Sequence, residues 1–266
     1  MRMKGLDCLQ LGRRGKNSDV GEMFKKNLSQ NFLIDNNLAE RLAKYAGTFS
    51  SETILEIGPG YGIITRALAS RAGKIIAVEK DKLLAERLEE KKFPNTEIIC
   101  ADILDFDFER ADKIVANIPF KISSAILQKI FQARKPAFLI LQKEFAERLI
   151  AKPGERIYSK LSVAANYFCD CKILENVSAK KFKPAPRVDA AVVRILPKEK
   201  PFEADENFWK IVDALFRHKK KIVRAALRDE KISAQLPKEL AEKRVFCCDL
   251  KDLREICENI QTSSLV

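Results

Sequence analysis

An open α/β sheet with helices on both faces, followed by a small all-helical domain, is the architecture this sequence predicts. Two observations carry that reading. Short apolar runs alternate with helical stretches between residues 53 and 150, and from Asn207 onward only helical signals remain. Strands separated by helices imply parallel pairing through right-handed crossovers.

Residues 1–24 mix Gly, Arg, Lys and Asp without periodicity and read as a flexible basic arm. Leu38, Leu42 and Tyr45 fall at helical spacing, with Asp35 placed to cap that helix. Thr53 to Ile57 is a short apolar run ending in glycines, the mark of a buried strand. A helix from Ile63 to Ser70, a strand from Lys74 to Glu79 and a charged helix from Lys82 to Lys91 follow. Strands are then expected at Glu97 to Ala101, Lys113 to Ala116 and Ala137 to Gln142. Helices are expected at Ser123 to Phe131, capped by Ser123 or Ser124, and from Phe145 to Ile150. Asp189 to Leu196 reads as the last strand. The prolines and charges of Pro197 to Pro201 mark a linker, taken as residues 197–206. Beyond it Val212, Phe216, Val223 and Leu227 share one helical face, and Arg217, Lys220, Lys221, Arg224 and Arg228 share another.

The chain of 266 residues carries 49 Lys+Arg against 37 Asp+Glu, a net charge of +12. Such a surplus points to a polyanionic partner, nucleic acid first, or else to a solvated basic surface. No apolar stretch reaches the ~18 residues of a membrane span, and the polar N-terminus does not resemble a signal peptide. A cytoplasmic protein without membrane contact, monomeric by default, is expected. The seven cysteines form no framework of spacings, and Cys169-Asp170-Cys171 lacks a second pair, so neither disulfides nor a metal site are expected. His218, the one histidine, sits in a lysine run and reads as solvated or RNA-facing.

Gly58-Pro59-Gly60-Tyr61-Gly62 follows a strand and precedes a helix, where glycines let a ligand approach the backbone. A dinucleotide fingerprint needs glycine at position 63, which is Ile63, and Pro59 removes an amide donor. Both features disfavour a pyrophosphate and suit a nucleoside without phosphates, S-adenosylmethionine (SAM). Glu79, at the end of the next strand, is placed to accept from both ribose hydroxyls. Asp102, just past the third strand, is placed to accept from the cofactor's adenine amine. The domain is therefore read as a Rossmann-like SAM-dependent methyltransferase sheet.

Asn117-Ile118-Pro119-Phe120 ends the fourth strand. The lone pair of an adenine amine is delocalised into its ring, so the nitrogen attacks poorly until acceptors draw it toward tetrahedral geometry. The Asn117 side-chain oxygen and the Ile118 carbonyl can accept its two N–H bonds. Pro119 stiffens the backbone, and Phe120 offers a ring for stacking on an extruded base. Transfer is then a displacement at the sulfonium carbon, governed by positioning and electrostatics, with no strong base required.

With these motifs the chain resembles the ribosomal RNA adenine dimethyltransferases. Lys26 to Asp35 is similar to that family's K-x-x-G-Q-N-F-L segment, Glu56 to Gly62 to its cofactor loop, and Asn117 to Phe120 to its N-L/I-P-Y/F motif. Gln142 to Arg148, Tyr158 to Val163 and Phe182 to Asp189 resemble its Q-K-E-x-A-x-R, Y-G-R-L-S-V and F-x-P-x-P-K/R-V-D segments. Ser29 and Ser159 stand where the family has glycine. Phe120 in place of Tyr is shared with the erythromycin-resistance methyltransferases of large-subunit rRNA, whereas the segments at 158–163 and 182–189 resemble the small-subunit branch. The C-terminal run Phe216 to Lys221 is most similar to archaeal members.

The resemblance implies SAM-dependent N6,N6-dimethylation of two adjacent adenosines near the 3′ end of small-subunit rRNA. The partner would be the rRNA or the pre-small ribosomal subunit, with a role in its biogenesis. By motif position Asn31, Leu33, Gly58, Glu79, Asp102 and Asn117 contact SAM, and Phe120 and Phe182 flank the adenine. Phosphate contacts are expected at Lys25/Lys26, at Lys180, Lys181, Lys183 and Arg187, and along Arg217 to Arg228, including Lys220, Lys221 and Arg224. The domains expected are an arm at 1–24, the methyltransferase domain at 25–196, the linker, and a helical RNA-binding domain at 207–266. The alternatives are a resistance-type large-subunit methyltransferase and a non-catalytic ribosome assembly factor. The second has no need to keep Glu79, Asp102 and Asn117.

Overall fold

The computed structural model describes residues 31–47 and 50–260. The expected arm, Lys25/Lys26 and the start of the first motif, through Gln30, lie outside them. The described residues form one compact unit. Its sheet has seven strands in the order β4-β3-β2-β5-β6-β9-β7. These are β2 (Thr53–Ile57), β3 (Lys74–Glu79), β4 (Thr96–Cys100), β5 (Lys113–Asn117), β6 (Ala137–Gln142), β7 (Cys169–Val177) and β9 (Ala190–Pro197). A separate two-stranded sheet pairs β1 (Phe32–Leu33) with β8 (Phe182–Lys183).

β2 to β6 pair in parallel, as the alternation predicts. β9 is antiparallel to both β6 and β7. The all-parallel expectation therefore fails at one edge, where β7 was not anticipated. The chain enters β7 directly from α6 (Lys160–Phe168) and doubles back into β9, and a path without a long crossover enforces antiparallel pairing. β7 carries Asp170, Lys172 and Glu175 and is largely half-exposed, so it lacks the continuous apolar run that betrays a buried strand.

The sheet is covered on both faces. Leu55, Ile57, Ile114, Ala116, Leu139 and Leu141 face a layer that includes α4 (Ser123–Ala133) and α5 (Lys143–Ile150). The alternate residues Ile54, Ile75, Val115, Phe138 and Ile140 face α1 (Asn36–Ala46) and α2 (Ile63–Ala69). Burial on both faces explains why these strands read as unbroken apolar runs. Asp35 caps α1 as expected, accepting from Leu38 N at 2.9 Å. Neither Ser123 nor Ser124 caps α4. A tight turn over Phe120–Ile122 runs straight into that helix, and the buried Ser123 hydroxyl donates to the Pro119 carbonyl at 3.3 Å.

A third core joins α7 (Glu206–Arg217), α8 (Val223–Asp229), α9 (Lys238–Glu242) and α10 (Leu250–Glu258) to Ala151, Tyr158 and Val163. Val212, Phe216, Val223 and Leu227 all contribute to it, but from two helices separated by a turn. The basic residues thus do not form a single helical stripe. The stretch expected as a linker is held in place. The Tyr167 hydroxyl donates to Phe202 O at 2.5 Å and accepts from Ala204 N at 3.0 Å. The Tyr167 and Phe168 rings meet Trp209, the latter stacked at 5.6 Å. No helix among the described residues is long and apolar enough to cross a membrane.

Candidate active site

After β2 the chain moves outward to β3 and β4, then returns to the other side of β2 to form β5. The strand order reverses between β2 and β5. In open α/β sheets the crevice at that reversal, outside the carboxyl ends of the strands, is where ligands bind. The Ile57–Ala116 pair is the last of the β2–β5 ladder, so Gly58 and Asn117 leave the sheet side by side. Glu79 ends β3 beside Cys100, two residues before Asp102.

Gly58, Gly60 and Gly62 all have positive φ, which glycine alone adopts without strain. A Cβ at Gly60 would lie 2.9 Å from the Phe32 ring, and one at Gly62 would lie 2.7 Å from Leu88. At Gly58 the same position is open space, so there the glycine bares backbone to the crevice.

The acids beside the loop are unequal. Glu79 is 4% exposed, and its two oxygens accept one backbone N–H each, from Gly60 and Asp81, both at 3.0 Å. Each oxygen keeps further acceptor capacity. Burial pushes this carboxyl up from the usual range. Asp102 behaves in the opposite way. Its Oδ2 pairs with Lys80 Nζ at 2.6 Å and its Oδ1 accepts from Leu104 N at 3.0 Å, which together hold its pKa down. Glu56, not anticipated as a functional residue, is 1% exposed and faces Thr65 without a hydrogen bond of good geometry. Burial pushes it up to about 8. In a chain of net charge +12, Glu79 at the end of β3 and Asp102 just past β4 set two carboxyl groups at this edge, with Glu56 buried behind them as a neutral acid. Those acceptors, with the bared Gly58, suit a nucleoside carrying a positive sulfonium and an ammonium.

The Asn117 side chain is oriented by its neighbour. Its Nδ2 donates to the Asn31 carbonyl at 3.0 Å. A carbonyl can only accept, so the amide oxygen must point the other way. Among the described residues nothing donates to Asn117 Oδ1 or to the Ile118 carbonyl. Phe120 and Pro119 are half-buried. The tetrapeptide therefore holds two acceptors that no described donor occupies, one on half-buried Asn117 and one on buried Ile118, and a half-buried ring beside the glycine loop.

These features converge on one comparison. A family model described as "Ribosomal RNA adenine dimethylase" matches residues 21–247. The chain belongs to that family. It is 38% identical to a probable ribosomal RNA small subunit methyltransferase A from Thermococcus sibiricus over 94% of each chain. It is 41% identical to the protein of the same name from Methanosarcina acetivorans, over 78% of this chain and 79% of that one. Among solved structures it resembles a dimethyladenosine transferase from Plasmodium falciparum, with TM-score 0.75, 26% identity and coverage of 86% of this chain and 99% of that one. It also resembles the 23S rRNA methyltransferase ErmE, with TM-score 0.67, 27% identity and coverage of 86% and 98%. The chain is a SAM-dependent rRNA adenine dimethyltransferase of Rossmann-like fold.

Several individual expectations need correction. Phe182 is 3% exposed and sits in the core, because β8 pairs with β1 and sets Phe182 opposite Leu33. As folded here its ring is not a free stacking face. The Leu33 side chain is likewise core, which leaves its backbone as the part able to meet a cofactor. Lys183 and Arg187 are exposed, as are Lys220, Lys221 and Arg224. However, Lys221 pairs with Asp229, and Arg224 pairs with Glu242 at 3.1 Å. His218 is half-exposed and held by a neighbour, its Nε2 2.8 Å from Glu230 Oε1. The roles of Asn31 and Lys80 were invisible in the sequence, since one acts through a backbone carbonyl and the other through a long exposed side chain.

Proposed function

We propose that this enzyme dimethylates two adjacent adenosines near the 3′ end of small-subunit rRNA, within the maturing subunit in the cytoplasm. The observation that carries the chemistry is the pair of unoccupied acceptors, Asn117 Oδ1 and Ile118 O, beside the glycine loop. They bind the two N–H bonds of the adenine amine and draw its lone pair out of conjugation. Phe120 stacks on the extruded base. Asn31 holds the Asn117 amide in the working orientation. Glu79 and Asp102 would hold the ribose and adenine of the cofactor, and the backbone of Gly58, Asn31 and Leu33 would complete its site. When bound, SAM supplies a methyl group on a sulfonium carbon. Proton loss follows alkylation, so the site needs no strong base, and the one histidine lies elsewhere. Residues 25–196 act as the catalytic domain. Residues 207–266 bind RNA through Lys220, Lys221 and Arg224, with Lys183 and Arg187 nearer the target base.

The small-subunit assignment is supported by the names of the relatives. Transfer of labelled methyl groups to small subunits lacking them, followed by nucleoside analysis, tests it. Dimethyladenosine at two neighbouring positions is expected. Transfer to large-subunit RNA instead would overturn the substrate, and no transfer at all would point to an assembly factor.

A further inference from the structure

Residues 31–35 touch three parts of the site that are far apart in sequence. The Asn31 carbonyl accepts from Asn117 Nδ2 at 3.0 Å. The Phe32 ring packs on the glycine loop, 4.6 Å from the Tyr61 ring and over Gly60. Phe32 and Leu33 pair with Lys183 and Phe182, and Ile34 N donates to Lys181 O at 2.9 Å. Asp35 closes the segment by pairing with Lys181 Nζ. One five-residue strap thus joins the cofactor loop, the catalytic tetrapeptide and the root of the loop bearing Lys183 and Arg187.

We infer that Asp35 and Lys181 are positioning residues that couple cofactor occupancy to RNA binding: the ion pair fixes β1 to β8, so ordering the glycine loop also orders Lys183 and Arg187. The inference rests on reading 58–62 as the cofactor loop and 182–187 as a substrate loop. The β1–β8 pairing is only two residues long, too short to hold its register without support at its ends. Asp35 supplies that support at one end while also capping α1, which anchors the strap to the core. The Lys181 ammonium holds the Asp35 carboxyl below its usual range, so that carboxyl stays charged near neutrality. Reciprocity requires that bound RNA tighten the cofactor by the same factor.

The test measures binding rather than turnover. The RNA is whichever purified ribosomal subunit the wild-type chain methylates, so an error in the small-subunit assignment does not affect the outcome. Its affinity is measured with and without saturating S-adenosylhomocysteine. The wild type is expected to bind about fivefold or more tighter with the cofactor product present. Asp35→Asn keeps a good helix cap and the Lys181 charge but loses the ion pair. Lys181→Met loses the ammonium, and Lys181→Arg keeps a cation. The enhancement should fall to within about twofold of unity in Asp35→Asn and Lys181→Met, and return in Lys181→Arg. Absence of enhancement in the wild type overturns the inference. So does full enhancement in Asp35→Asn, because loss in Lys181→Met alone would mark Lys181 as a plain phosphate contact.

Discussion

At the strand ends of the sheet Glu56 and Glu79 are 1% and 4% exposed, whereas Arg217 and Arg224 on α7 and α8, and Lys220 and Lys221 in the turn between them, all stand in solvent. Burial leaves the two glutamates little choice of partner. Glu79 takes two well-formed backbone N–H bonds, whereas Glu56 only faces Thr65. The basic residues choose freely and pair with acids: Arg217 with Glu230 at 2.9 Å, Lys221 with Asp229, and Arg224 with Glu242. A buried carboxyl therefore reports a function or a cost. An exposed one counts toward RNA only after its local acid is subtracted, and such surface pairs are individually worth little.

The largest expected effect breaks the crevice side of this comparison. Asn117→Ala removes one of the two amine acceptors and should lower single-turnover methyl transfer by about 10²–10³, by analogy with loss of one oxyanion donor. Subunit affinity should stay within about twofold. Near-normal turnover in that variant would sink the proposed role of the tetrapeptide.

Glu56 sharpens the comparison through pH. Burial raises its folded pKa to about 8 from the ordinary 4.5. Between those values the folded state holds a proton that the unfolded state has lost. The stability this contributes is fully present below about 4.5 and is lost as pH rises through about 8. Relative to Glu56→Gln, the wild type should lose up to about 1.4 kcal/mol per pH unit across that window. Denaturant melts of both proteins from pH 5 to 9 measure the difference, and parallel curves would mean that Glu56 is not buried as a neutral acid.

Gly62→Ala tests the loop itself. With φ of 75° and a methyl group 2.7 Å from Leu88, the change should cost about 1–2 kcal/mol of backbone strain, plus whatever the clash adds. Thermal unfolding reads this directly, and an unchanged midpoint would argue against the observed loop conformation.

The smallest effect is on the basic side. Changing Lys220, Lys221 and Arg224 together to Ala should weaken RNA binding and flatten its dependence on salt. Because two of the three are already paired, the slope should change by about 1 rather than about 3. A change near 3 would show that the local acids release their partners on RNA, and no change would return these residues to a merely solvated face.

The two regions also differ in how far they could be read in advance. β2, β3 and β6 fall where their apolar runs end, and Gly58, Glu79 and Asn117 emerge at neighbouring strand ends as predicted. Local patterns suffice there because each residue follows its strand by a fixed step. α6 and β7 were missed, since a half-exposed edge strand with alternating charges looks like a loop. The expected basic stripe broke at a turn that only the packing of α7 against α8 reveals.

By itself the sequence determined the parallel α/β core, the glycine loop without a pyrophosphate cradle, and the tetrapeptide that names the chemistry. Periodicity and turn residues act over a few positions, and those features need no more. Tertiary structure alone decided that Phe182 is core, that Asn31 turns the Asn117 amide, that Lys80 binds Asp102 and that Asp35 meets Lys181. Three of those four join residues 22 to 146 positions apart. The burial of Phe182 likewise depends on pairing with Leu33 across the fold. Such contacts leave no periodic trace, because they exist only once the sheet has brought distant strand ends to one edge.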